Sequence, residues 1–264
     1  MPMKKFKLQY SLKILFDHEV NNHHFSLKCM PKTEIRQIIN NTRIRLNVDY
    51  FSYSSDCFKN RFWYGYKEEI HDNLDVYIEA EAQVDWQNYD FADNLNTVFC
   101  LPTKQTAIGE NLAPFLADCK QACEQMKSDY DKALCVMKLV HNCLEYKKNI
   151  TTIRTTADDA FSYGMGVCQD YAQIVIALLR AMKIPARYVA GVMAGECLTH
   201  AWVEFFANER WYGIDPTNDL LVNDDYIVFS RGRDYKDCLV NKGVFYSPVP
   251  VRQKQEILVK VVEV

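Results

Sequence analysis

The sequence predicts an α+β chain, with an all-β, sandwich-like domain over residues 1–105 and a unit of helices followed by antiparallel strands over 106–264. Two observations carry this expectation. Up to about Pro102, apolar and polar residues alternate in β-branched and aromatic segments, the period of half-buried strands. Beyond it the apolar residues recur at helical spacing, until strand texture returns after Pro185. At 264 residues the chain is long enough for two domains.

In the first part the spacing predicts short strands around Ile38-Ile39, Arg43 to Val48, Phe62 to Tyr66 and Leu74 to Glu81. His18, His23 and His24 read as exposed polar residues, and nothing here resembles a catalytic constellation. Further on, Ser128-Asp-Tyr-Asp131 resembles a capping box with Asp in place of Glu. Leu134, Met137, Leu139, Val140 and Leu144 then predict a helix over about 129–145, with a weaker one over 113–127. Residues 151–156 read as loop or extended chain. The glycines of Tyr163-Gly-Met-Gly-Val-Cys168 make a turn that feeds an apolar helix, which stops near Met182 because Pro185 cannot continue it. Strands are expected at 186–190, 201–206 and 211–214, the last two joined by a hairpin turn at Asn208 and Glu209.

Composition narrows the function classes. Lys and Arg total 31 against 34 Asp and Glu, so no strong attraction to nucleic acid or an anionic membrane is expected. No apolar run is long enough to cross a bilayer, since Ile174 to Leu179 stops at Arg180. The basic start lacks an apolar signal region, so a cytoplasmic protein is expected. The ten cysteines show no C-x-x-C pairs and read as reduced thiols. A metal site among Cys119, Cys123, Cys135, His141 and Cys143 is conceivable, but buried cysteines more often act as small hydrophobes.

Three residues can do chemistry together. Cys168 follows two glycines at a helix start, where backbone N–H groups and the positive end of the dipole favour a thiolate. Its own N–H can also face a developing oxyanion. Taken alone, the glycines could equally well cap a buried helix. His200 opens one strand and Asp215 ends the next, so a tight turn can set them side by side in a nucleophile, base and orienter layout. G-x-S-x-G, Walker, H-E-x-x-H and Rossmann fingerprints are absent.

Gly164-Met-Gly-Val-Cys-Gln-Asp-Tyr-Ala172, His200-Ala-Trp-Val-Glu204 and Asp215-Pro-Thr217 resemble the core motifs of the transglutaminase-like superfamily. Thr155 to Phe161, Ile184 to Gly191 and Gly232 to Asp237 with Gly243-Val244 are similar to its bacterial branch of candidate cysteine proteases, which carries a β-rich N-terminal domain. Cys238 to Asn241 departs from that branch, where a proline often follows the Asp. The resemblance implies a papain-like α+β core over 106–264, a catalytic triad of Cys168, His200 and Asp215, and no metal or organic cofactor. Asp170 and Tyr171 then read as supports, Trp202 as sheet packing, and Arg233 as an ion pair with Asp234 or Asp237 or a substrate contact.

The function expected is acyl transfer through a thioester, most simply a cysteine peptidase or amidase acting on a peptide, protein or small amide. Transfer to an amine, as in a protein-glutamine transglutaminase, uses the same residues. A scaffold without catalysis is the third possibility, although Cys168, His200 and Asp215 are all present. Ser162, Tyr163, Gln169 and His141 are candidates for a second oxyanion donor by position only, and the oligomeric state is open.

Overall fold

The computed structural model describes residues 3–87 and 93–264. Strands β1 to β5 span Lys4–Leu27, Gln37–Leu46, Tyr50–Ser55, Arg61–Lys67 and His71–Val84. Helices α1 to α4 span Leu112–Ala122, Asp129–Cys143, Ala157–Tyr163 and Cys168–Ala181, with the short β6 (Glu145–Tyr146) and β7 (Met165–Gly166) among them. Strands β8 to β12 cover Ala186–Met193, His200–Ala207, Arg210–Asp215, Leu220–Leu221 and Tyr226–Gly232, and β13 and β14 cover Asn241–Tyr246 and Gln253–Glu263.

The strands of the first part are not all short. Alternation through Phe6, Leu8, Tyr10, Leu12, Ile14 and Phe16 buries one face of β1, which runs for 24 residues. Its first half lies between β5 and β14 and its second between β4 and β13, with the register breaking between Leu15 and Val20. The sheet expected from residues 1–105 therefore also takes two strands from the far end of the chain. Ile257, Val259 and Val261 turn inward there between exposed neighbours, the period-two pattern of a strand with one wet face.

His23 departs from the expected exposure. It stands two residues before Phe25 on the inward face of β1, is 3% exposed, and stacks on His71 with ring centroids 5.5 Å apart. His18 and His24 are exposed.

The second sheet has the antiparallel order β11-β10-β9-β8-β12. Tyr188, Ala190, Val203 and Phe205 pack against α4, while Val189, Trp202, Ile227 and Phe229 pack against the first sheet. Covered on both faces, β8, β9 and β12 are buried almost throughout, as two-sided burial requires. α4 is buried from Asp170 to Arg180, wrapped by the other helices and the sheet.

The first sheet also closes the free edge of β12. The Gln37 amide bonds both Val228 N–H and C=O, and the Asn60 amide does the same for Arg231. Arg231 further pairs with Glu34 and with fully buried Glu204 on β9, which Arg187 also reaches.

Ser128 caps α2 as expected, but the helix ends at Cys143, where Leu144 turns extended. α1 stops at Ala122, because Cys123 N–H closes on both Cys119 and Gln121 carbonyls. α3 was not anticipated, although Thr156 and Asp159 form a capping box. All ten cysteines are free thiols. Among the described residues, no helix is long and apolar enough to cross a membrane.

Candidate active site

Cys168 is the first residue of α4, half-buried. The turn before it is held from both sides. Gly164 ends α3 in the left-handed region, with φ of 64°, a conformation that costs glycine little. Asp170 then reaches back, its Oδ2 accepting from Val167 N–H at 2.8 Å and from the Thr151 hydroxyl at 2.7 Å. A Cβ on Gly166 would stand 2.6 Å from that same oxygen, so only glycine lets the chain pass. Tyr171 donates its hydroxyl to the Leu144 carbonyl at 2.8 Å. Both residues thus support the turn.

His200 opens β9 and Asp215 ends β10, and the hairpin places His200 Nε2 2.7 Å from Asp215 Oδ2. Cys168 lies beside the imidazole, close enough to act on its charge, and both residues line one cavity. The three residues singled out from the sequence are therefore brought together at the junction of α4 and the second sheet. His200 is 8% exposed and Asp215 fully buried.

Asp215 is held by more than its neighbour in the sequence pattern. Oδ1 accepts from Thr217 and Asn218 N–H, and Oδ2 accepts from the Asn218 amide and, at 2.9 Å, from the Tyr226 hydroxyl. Burial works against the carboxylate, but His200, Asn218 and Tyr226 together lower its pKa. Burial likewise works against a charged imidazole, yet hydrogen bonds and charge from Asp215 and Cys168 outweigh it and lift His200 to about 10. Such a balance favours an imidazolium facing the thiol. Trp202 lies flat against His200, centroids 6.3 Å apart, with its edge to Tyr226. Sequence reading passed over Asn218 and Tyr226: Asn218 follows the Asp215-Pro-Thr217 motif directly, but no local signal marks Tyr226, which arrives from β12 at the far edge of the sheet.

Cys168 and His200 open on a cavity of about 510 Å³. Of the four candidate oxyanion donors, Gln169 lines it. Ser162 instead donates to the Asp159 carbonyl, His141 faces the Pro216 carbonyl, and Tyr163 is exposed. Arg233 is taken up by Asp237 at 2.8 Å. Cys119 and Cys123 are buried, which pushes their thiols up to about 12 and about 11, and the described residues contain no group of three metal-ligating side chains.

Residues 119–216 match the transglutaminase-like superfamily. An uncharacterised protein of Mycobacterium tuberculosis is 37% identical over 124 residues, covering 41% of this chain and 40% of that one. The chain thus aligns with less than half the length of such curated relatives. A protein-glutamine gamma-glutamyltransferase of Pseudomonas aeruginosa is 38% identical over 73 residues, 23% of this chain and 11% of that one. In architecture, the crystal structure of a candidate cysteine protease from Cytophaga hutchinsonii superposes with a TM-score of 0.79 over 100% of this chain and 91% of its own, at 19% identity.

Proposed function

Starting from the premise that the chain carries a transglutaminase-like core, we propose that it is a cysteine-dependent acyl-transfer enzyme, with Cys168 as nucleophile, His200 as acid and base, and Asp215 as orienter. The observation that supports this most is the single file of Cys168, His200 and buried Asp215, the last two 2.7 Å apart. Because Asp215 engages Nε2, the Nδ1 nitrogen is left to exchange a proton with sulfur.

The Cys168 thiolate attacks the carbonyl carbon of an amide, and the carbonyl oxygen takes up the negative charge beside the backbone N–H groups at the start of α4. Collapse of that adduct breaks the C–N bond, the amine leaves with the proton from His200, and a thioester remains. Water then gives one proton to His200 as its oxygen attacks the thioester, the C–S bond breaks, and a carboxylic acid leaves with the thiolate and imidazolium restored. Asp215, fixed by Asn218 and Tyr226, holds the imidazole in the orientation both steps need.

Hydrolysis asks for water beside the thiol, and Asn149, Thr151, Asn241 and Gln255 stand as polar positions among the mostly apolar residues that line the cavity. Likeness to a protein-glutamine gamma-glutamyltransferase over 73 residues supports the second reading, in which an amine replaces water. The two separate in one experiment. An activated acyl ester is added to the protein, the acyl-enzyme is detected by intact mass, and its decay is followed with and without a primary amine. Decay to the free acid at a rate indifferent to amine is the expected result. Formation of the amide product would favour transfer, and no adduct on Cys168 would refute the proposal.

A further inference from the structure

β14 pairs with β1 on one side only. Tyr10 and Val259 face each other across that ladder, yet Val259 N–H donates to the Cys197 carbonyl at 2.9 Å, so the Val259 backbone points away from β1. N–H and C=O groups two residues apart on a strand point the same way. Gln255 and Ile257 therefore present theirs on the outward side as well, and no ladder meets them among the described residues. Both residues line the cavity that holds Cys168 and His200.

We infer that this outward edge at Gln255–Ile257 binds the acyl donor as an extended peptide, which adds itself as a strand and carries its reacting carbonyl to Cys168. The inference rests on the acyl-transfer reading above and names the substrate class. Two further observations point to such an occupant. Cys197, in the bend three residues before His200, already takes the next place on this edge with one backbone hydrogen bond, so the outward groups can meet a backbone partner close to the site. Asn241 lines the same cavity, and its Oδ1 is a buried acceptor without a donor, so a turn of this side chain toward a bound peptide N–H would satisfy it. Backbone pairing would provide affinity, and pockets for alternate side chains the selectivity. Ile153, Leu198, Val240 and Ile257 make those pockets apolar, and among the described residues no carboxylate lines the cavity while Lys148 does, so apolar rather than basic side chains fit beside the reacting carbonyl.

The test compares a tetrapeptide thiobenzyl ester of Leu and Ala with acetyl thiobenzyl ester, which offers the same reacting group without a peptide backbone. The quantity read is the ratio of their kcat/KM values. Gln255→Pro and Ile257→Pro each delete one outward N–H while leaving the ladder to β1 intact, and Glu256→Ala, whose backbone faces β1, keeps both outward N–H groups. Each proline is expected to lower the ratio about two- to tenfold, the worth of one backbone hydrogen bond, and Glu256→Ala to leave it unchanged. N-methylation of single peptide nitrogens, tried on the unaltered protein, is expected to cost the same and does not depend on a variant folding. A ratio unmoved by the prolines and by N-methylation would overturn the edge site while acyl transfer stands. Turnover of neither ester would overturn acyl transfer itself, and the inference with it.

Discussion

Tyr226 and His200 share one oxygen: the Tyr226 hydroxyl donates to Asp215 Oδ2 at 2.9 Å, and His200 Nε2 meets the same atom at 2.7 Å. The carboxylate beside the imidazole is thus itself fixed from β12, the opposite edge of the sheet. Tyr226→Phe keeps the packing against Trp202 and removes only the hydroxyl. A hydrogen bond to a charged group contributes about 1.5–3 kcal/mol, so kcat/KM on an amide or activated ester is expected to fall roughly ten- to a hundredfold. Steady-state kinetics and near-UV circular dichroism check the loss of rate against an unaltered fold.

The pH dependence follows from His200. Its folded pKa of about 10 lies above the ordinary 6.5, so its stabilising contribution is complete below about 6.5 and disappears as pH rises through about 10. In the proposed reaction the imidazolium supplies the proton for the leaving amine, so kcat/KM is expected to decline on the alkaline side in the same range. Asp215→Asn removes a charge that raises this pKa, and the alkaline limb is expected to move to lower pH while the rate falls roughly 10²–10⁴-fold. A pH–rate profile of both proteins tests the shift.

Much of this site is legible in the sequence, and the rest is absent for physical reasons. Cys168, His200 and Asp215 stand in short motifs whose roles depend on local geometry: a helix start after two glycines, a strand start and a strand end. Tyr226 and the wall built by Gln255 and Ile257 are products of long-range pairing, and nothing in their own segments points to Cys168. The same holds for β13 and β14, which lie outside the strands expected from the sequence and take their place on β1 through long-range pairing. The polar character of His23 predicts exposure, whereas its parity with Phe25 and Leu27 on β1 decides its burial.

Gly166 is a sterically fixed position. Gly166→Ala would push its methyl onto Asp170 Oδ2, 2.6 Å away, and displace the carboxylate that binds Val167 N–H and Thr151. Overpacking of this kind costs about 1–3 kcal/mol, read as a lower midpoint in denaturant unfolding. Activity is expected to fall with it, since the same turn aims Cys168.

Glu204 tests the buried ion cluster of the second sheet. Fully buried, it is disfavoured as a charge by burial, yet Arg187 and Arg231 hold its pKa down to about 2. Glu204→Gln leaves buried guanidinium charge uncompensated and is expected to destabilise by about 3–5 kcal/mol in equilibrium unfolding. Because the folded carboxyl lies below its ordinary 4.5, the contribution is present above about 4.5 and is lost as pH falls through about 2.

The central claim, an activated thiol at Cys168, meets its most direct test in intact-mass spectrometry after brief exposure to limiting iodoacetamide. Cys57, Cys100, Cys143 and Cys197 are exposed and Cys168 is half-buried, so exposure alone would favour the other four. The account predicts the reverse: one fast adduct, abolished by Cys168→Ala and slowed by His200→Ala roughly a hundredfold or more. Slow labelling spread over the exposed cysteines, unchanged by either substitution, would contradict it.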